Sequence, residues 1–193
     1  VYDAIKAGEL PEGRVKKKDE VVKSALVNLG FETKEALKFR DFYKGNALVD
    51  NTKGLVHIGE VIELIMDGFE QVMDGGPLAR EPCTKVLVTL NDCKLHEDSI
   101  HRGPAQVYPA IREAIRDAMT LGAAVIFEPV QILAMEGLIS HMGALSKLVA
   151  NKRGQLLDMK EEGNYITVKA KMPVGEMFGL SSDLRSATEG RGT

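Results

Sequence analysis

The chain has no hydrophobic run long enough to cross a bilayer. The longest, Leu121 to Phe127, contains a glycine and covers about a third of the roughly 20 residues that a spanning helix needs, which predicts a soluble protein. It has only two cysteines, Cys83 and Cys93, ten residues apart; thiols this sparse predict a reduced pair in a cytosolic setting rather than a disulfide framework. It has no excess of positive charge either. Lys and Arg number 25 against 28 for Asp and Glu, a net charge of −3, so affinity for nucleic acid cannot rest on bulk charge. No GxxxxGK loop followed by Ser or Thr occurs, and no GxGxxG follows a strand, so no nucleotide site is visible. His57, His96, His101 and His141 lack metal-ligand spacing and a nearby CxxC pair. Ser99, between two histidines, lacks the glycine elbow that would mark a hydrolase nucleophile. What remains is ordinary globular composition: 193 residues, 44% hydrophobic and 27% charged, enough for one medium domain or two small ones.

The first 45 residues read as helix-rich. The run Lys16-Lys17-Lys18 leads to Asp19, an N-cap for a helix through Leu29 that Gly30 closes. A short strand over 47–49 precedes a turn at 50–54. The strongest helical signal follows: Ile58, Val61, Ile62, Ile65, Met66, Phe69 and Met73 share one face, and Gly75-Gly76-Pro77 ends the helix. Alternation from Thr84 to Leu95 predicts a long strand buried on much of both faces, with Cys93 on it. A second amphipathic helix carries Ile111, Ile115, Ala118 and Met119, with Pro109 in its first turn and Gly122 at its end.

Beyond Phe127 the order is strand (130–134), helix (138–150, with Met142, Leu145, Leu148 and Val149 inward), strand (155–159), strand (165–172) and helix (177–187). This β-α-β-β-α order is a split β-α-β unit lacking its last strand. Together with a first residue other than methionine and the turn-like Gly190 to Thr193, it points to a piece of something longer. The expected division is 1–125 and 126–193. The second part holds eight basic and eight acidic residues, so the −3 resides upstream. Lys152 and Arg153, at a helix end, fit either a helix dipole or an RNA contact.

Chemistry-bearing residues gather between Lys94 and Pro104, at the exit of a strand and just before a helix, where a rigid scaffold displays binding groups. The segment holds two histidines, and its Lys94 and Arg102 balance Glu97 and Asp98. A solvated turn with local hydrogen bonds is the plain alternative. Arg102 suits a bidentate phosphate contact or an ion pair with Glu97 or Asp98.

The string Leu95-His96-Glu97-Asp98-Ser99-Ile100-His101-Arg102-Gly103-Pro104-Ala105-Gln106-Val107-Tyr108-Pro109 closely resembles the tip loop of domain IV in the elongation factor 2 family of ribosomal translocases. Tyr43-Lys44-Gly45-Asn46 and Gly76-Pro77-Leu78-Ala79-Arg80-Glu81 extend the likeness upstream. Glu128-Pro129-Val130, Lys152-Arg153-Gly154, Met172-Pro173-Val174, Phe178-Gly179 and Asp183 to Gly190 resemble domain V in the same order. Gly103-Pro104-Ala105-Gln106 stands where eukaryotic members carry a triple glycine before the glutamine, which points to an archaeal member.

The resemblance implies an α/β (α+β) fold: a ribosomal protein S5 domain 2-like domain followed by a ferredoxin-like α/β sandwich without its last strand. It implies a cytoplasmic monomer acting with the ribosome, tRNA and mRNA in the decoding centre. GTP and Mg would belong to a GTPase domain of the full-length relatives, so the chain itself is read as holding no catalytic residue, cofactor or metal. His101 matches the histidine that dedicated enzymes convert to diphthamide, the target of ADP-ribosylation. His96, Asp98, Arg102, Gly103 and Gln106 are then candidate RNA contacts, and a cation added at His101 would supply charge that the balanced loop lacks. The competing readings are a stand-alone ferredoxin-like RNA-binding module, with Tyr165 as the single aromatic on the wet face of its strand, and a histidine-based hydrolase.

Overall fold

The computed structural model describes residues 1–16 and 19–193; two members of the lysine run, Lys17 and Lys18, lie outside the described residues. The chain divides into two compact units, Val1–Ile126 and Phe127–Thr193.

The first unit runs α1 (Tyr2–Lys6), β1 (Gly13–Arg14), α2 (Glu20–Asn28), α3 (Thr33–Ala36), β2 (Phe39–Tyr43), β3 (Asn46–Asp50), α4 (Ile58–Asp74), β4 (Leu87–Leu90) and α5 (Pro104–Leu121). Its sheet has the order β1-β2-β3-β4, antiparallel except for the β3–β4 pair. That parallel pair makes α4 a crossover helix, since parallel neighbours cannot be joined by a hairpin. Asp19 caps α2 as expected, its carboxylate accepting from the Val22 amide at 3.1 Å, and Gly30 beyond the helix adopts φ +97°.

The first 45 residues hold α1, α2 and α3, in line with the helix-rich reading, and also β1 and β2, which that reading did not include. A bulge between Phe39 and Asp41 breaks the alternation of β2, so Phe39, Asp41 and Phe42 are all buried and no period of two was visible. The long buried strand from Thr84 to Leu95 is also corrected. Only Leu87–Leu90 pair, on the sheet edge, and Leu87 is 58% exposed while Val88 and Leu90 face the core. Lys85 at φ +61° interrupts the extended backbone before it. Buried Asn46 sets the position of this edge: its Oδ1 accepts from the Val86 amide and its Nδ2 donates to the Cys83 carbonyl, each at 3.0 Å.

Helix α4 buries Val61, Ile65, Met66, Phe69 and Met73 of the predicted face; Val72, outside that face, is buried as well, while Ile58 and Ile62 are half-buried. Gly68 on α4 lets α5 approach closely: a Cβ there would sit 2.2 Å from Ile111 Cγ2. Pro104, not Pro109, opens α5, and Pro109 stands inside the helix. The helix thus begins in the polar segment, five residues earlier than its apolar pattern, and Gly103 is its N-cap.

The second unit runs β5 (Val130–Leu138), α6 (Met142–Asn151), β6 (Gln155–Glu162), β7 (Tyr165–Pro173) and α7 (Leu180–Ala187). The antiparallel order β5-β7-β6 is that of a ferredoxin-like sandwich. Thr193 exchanges two backbone hydrogen bonds with Glu136, of 2.8 and 3.0 Å, along the free edge of β5 where a fourth strand stands in that fold. Ile166, Val168, Ala170 and Met172 of β7 are fully buried, and Tyr165 is 51% exposed on the other face. Leu138 ends β5 rather than starting α6, because a 3-10 turn over Ile139–His141 intervenes. Met142, read as inward, is 41% exposed at the first position of α6. A 3-10 turn over Val174–Met177 likewise moves the start of α7 to Leu180.

Candidate nucleic-acid interface

The polar segment after β4 folds into a tip loop built on local bonds. Asp98 caps a single 3-10 turn, Ser99–His101: its Oδ1 accepts from the Ile100 amide at 3.1 Å and its carbonyl from the His101 amide at 3.2 Å. The Arg102 amide donates to Ser99 at 3.0 Å, and the Gly103 carbonyl accepts from Gln106 and Val107, starting α5. The turn lifts Ile100, 73% exposed, and His101 into solvent.

The two histidines differ in what holds them. Nδ1 of His96 accepts the Asp98 amide at 3.1 Å, which fixes the remaining proton of the neutral ring on Nε2. The ring of His101 stands edge-on to that of His96, centroids 4.5 Å apart at 69°, and makes no side-chain hydrogen bond among the described residues. Gln106 is exposed in the first turn of α5. Beneath the pair lies a groove of about 330 Å³ with Val61, Ile65, Val107 and Ile111 among its walls and His96, His101 and Gln106 beside them.

Arg102 departs most from expectation. Its side chain is 7% exposed and its ion-pair partner is neither Glu97 nor Asp98 but Glu60 of α4. Nε and Nη2 donate to Glu60 Oε2 at 2.9 and 2.7 Å, while Nη1 donates to the His96 and Glu97 carbonyls at 2.6 Å each. The guanidinium is turned into the protein and engaged there. Arg102, first, and then His57, whose Nδ1 lies 2.7 Å from Oε1, hold the Glu60 carboxyl below its usual range. Sequence reading missed Glu60 and His57. Their spacing is that of a helix N-terminus, with His57 at the N-cap and Glu60 three residues on, but nothing local names a cation 42 residues away.

Helix α4 displays a ladder of carboxylates, Glu60, Glu63, Asp67, Glu70 and Asp74. Arg14 of β1 bonds to Glu63, Asp67 and Glu70, Tyr108 of α5 to Asp67, and Lys44 and Tyr43 to Asp74. Asp41 lies under this ladder, with both carboxylate oxygens buried and without a donor. Burial, then the facing Glu70 carboxylate, pushes its carboxyl up to about 7, where a retained proton converts the contact into a hydrogen bond. In the second unit Lys152 pairs with Asp183 at 2.7 Å, and Arg153 with Glu128 and Glu176 at 2.7 and 2.8 Å, so both cations have acidic partners. Both cysteines are free, with burial raising each thiol, and no group of three metal-ligating side chains occurs among the described residues.

A crossover α/β unit with an exposed histidine turn is followed by a three-stranded ferredoxin-like unit. The family model for elongation factor G, domain IV matches residues 6–123 and that for the elongation factor G C-terminus matches 125–193; the chain belongs to this family. Among its relatives are elongation factor 2 of Pyrococcus horikoshii, 51% identical over 99% of the chain, and of Pyrococcus abyssi, 50% identical over the same share. Elongation factor 2 of Nanoarchaeum equitans is 48% identical over 96%. The chain spans about a quarter of the length of these relatives, 26%, 26% and 25% respectively. It is homologous to the C-terminal part of elongation factor 2, and these relatives are archaeal, in line with the Gly103-Pro104-Ala105-Gln106 signature.

Proposed function

We propose that this chain is the RNA-facing arm of a GTP-driven ribosomal translocase, whose tip loop enters the decoding centre and meets tRNA and mRNA. His101 is the residue modified to diphthamide by dedicated enzymes. The GTP and Mg chemistry belongs to the GTPase domain of full-length relatives, and the setting is the cytoplasm. The observation that carries this reading is the pair of histidines. His101 is exposed, unbonded and raised on a turn that matches the family's tip motif, whereas His96 is tied to the loop backbone through Nδ1.

Charge supports the same reading. With Arg102 turned inward, the exposed charged side chains between Lys94 and Pro104 are Lys94, Glu97 and Asp98, one cation against two anions. The bare loop therefore repels phosphate weakly, and a fixed cation on His101 offsets the imbalance. Exposed contacts fall to His96, Asp98, Gln106 and His101, with Gly103 shaping the approach. The test uses a full-length factor with His101 modified, unmodified or replaced by Ala, measuring translocation fidelity against salt. The modified form is expected to be the most accurate and the most salt-sensitive; equal behaviour of all three forms contradicts the proposal.

A further inference from the structure

The bonds within residues 96–103 are short-range, each spanning two or three residues, apart from those of Arg102. Among the described residues, the Arg102–Glu60 pair is the side-chain link that joins this loop to another element, across 42 residues of sequence. It uses three sites at once. Two loop carbonyls that face inward are satisfied by Nη1, and one carboxylate oxygen receives the side of the guanidinium fork. The other carboxylate oxygen is taken by His57, so the carboxylate cannot rotate without losing a partner. Glu60 stands in the first turn of α4, the helix that contributes Val61, Ile65, Phe69 and Val72 to the core. A carboxylate in a first turn is further favoured by the helix dipole. Four of the five guanidinium N–H groups are thereby used inside the protein.

We infer that Glu60 and Arg102 form a clamp that stiffens the tip loop and passes load from the exposed turn to the buried helix α4. They are positioning residues for His101 and not RNA contacts themselves. A loop that must press on a bulky, moving partner needs such an anchor, because 3-10 turns of one repeat have little stiffness of their own. The inference rests on the reading of the loop as RNA-facing, and it makes a separate claim about how the loop is held. Lysine cannot replace Arg102, since a single ammonium lacks the planar fork that reaches Glu60 and two carbonyls together.

Amide hydrogen exchange on the 193-residue chain tests it. The reporters are the amides of Asp98, Ile100, His101 and Arg102, whose bonds define the turn. In Glu60→Ala and in Arg102→Lys these four are expected to exchange about tenfold faster or more, while those of Ile65 to Phe69 in α4 stay within about twofold. The double variant is expected to be no faster than the faster single, because both remove one link. His101→Ala leaves the four amides unchanged. Should Glu60→Ala fail to fold, Glu60→Gln, which keeps the shape and removes the charge, is read on the same amides. Unchanged exchange in both Glu60→Gln and Arg102→Lys, or additive effects in the double variant, overturns the clamp. Failure of the RNA-facing reading is distinct: a photo-cross-linker at position 101 of the full-length factor then yields no ribosomal RNA, tRNA or mRNA product, while the exchange differences persist.

Discussion

Residues 96–103 of the first unit hold their shape through one short turn and a few side chains, with Arg102 reaching Glu60 across 42 residues, whereas β5 and β7 of the second unit pair without interruption from Val130↔Pro173 to Leu138↔Tyr165. The difference shows where this chain can present chemistry. A ladder satisfies the backbone groups that face its partner strand and leaves one face for a core, so the side chains on that face are spent on packing. An irregular loop leaves carbonyls open, and a buried arginine that satisfies them frees the neighbouring His101 to face solvent. Robustness and display thus sit in different units, and substitutions should separate them.

The largest expected effect lies in the ladder unit. Ile166→Ala removes a fully buried side chain from β7 and is expected to cost about 3 kcal/mol, read by denaturant unfolding followed with probes in residues 127–193. A loss below about 1 kcal/mol would mean that the sheet core of this unit can collapse around the cavity. Next is Gly68→Val in the first unit, which forces α5 away from α4 at Ile111 and should cost about 2 kcal/mol. Such a change leaves the Arg102–Glu60 link intact in sequence, so a change in tip-loop exchange would reveal that the loop also depends on where α5 sits.

Asp41→Asn has a smaller effect that depends on pH. The fold raises the Asp41 carboxyl from 3.8 to about 7, so the folded state favours the proton-bearing form. Its contribution is complete below 3.8, declines as pH rises towards 7, and is gone above it. The asparagine amide can donate to Glu70 at every pH. The variant is therefore expected to flatten the pH dependence and to gain on the order of 1 kcal/mol above neutrality, measured as denaturation midpoints from pH 4 to 9. A variant as pH-dependent as the parent would place the titrating group elsewhere. The smallest effect is Arg153→Ala: its side chain is 57% exposed, so losing the Glu128 and Glu176 pairs should barely move the denaturation midpoint, and the shift should vanish at high salt.

Much of this contrast was legible in the sequence, unevenly and for physical reasons. The inward set of β7 was read residue by residue and most of the core face of α4 with it, Val72 being missed, because one wet face imposes a clean period on each. The tip motif was legible as a string; the exposure of His101 on its turn was not. What could not be read is what crosses between elements. The bulge in β2 shifted its buried residues out of register, and Arg102 was placed among its neighbours in sequence when its partner is Glu60. Composition gave a net charge of −3 but not its arrangement, in which α4 gathers carboxylates and meets them with Arg14, Arg102 and Lys44. The charge balance that bears on RNA is therefore that of the exposed side chains alone.

Above all, the proposed function requires the turn carrying His101 to face RNA on the ribosome. A photoreactive side chain placed at position 101 of a full-length factor, trapped on ribosomes during translocation and mapped by its cross-links, tests it most directly. Cross-links to tRNA, mRNA or ribosomal RNA of the decoding centre, lost when the probe is moved to Leu87 on the exposed edge of β4, are the expected result. Cross-links confined to protein, or equal yields from both positions, would contradict it.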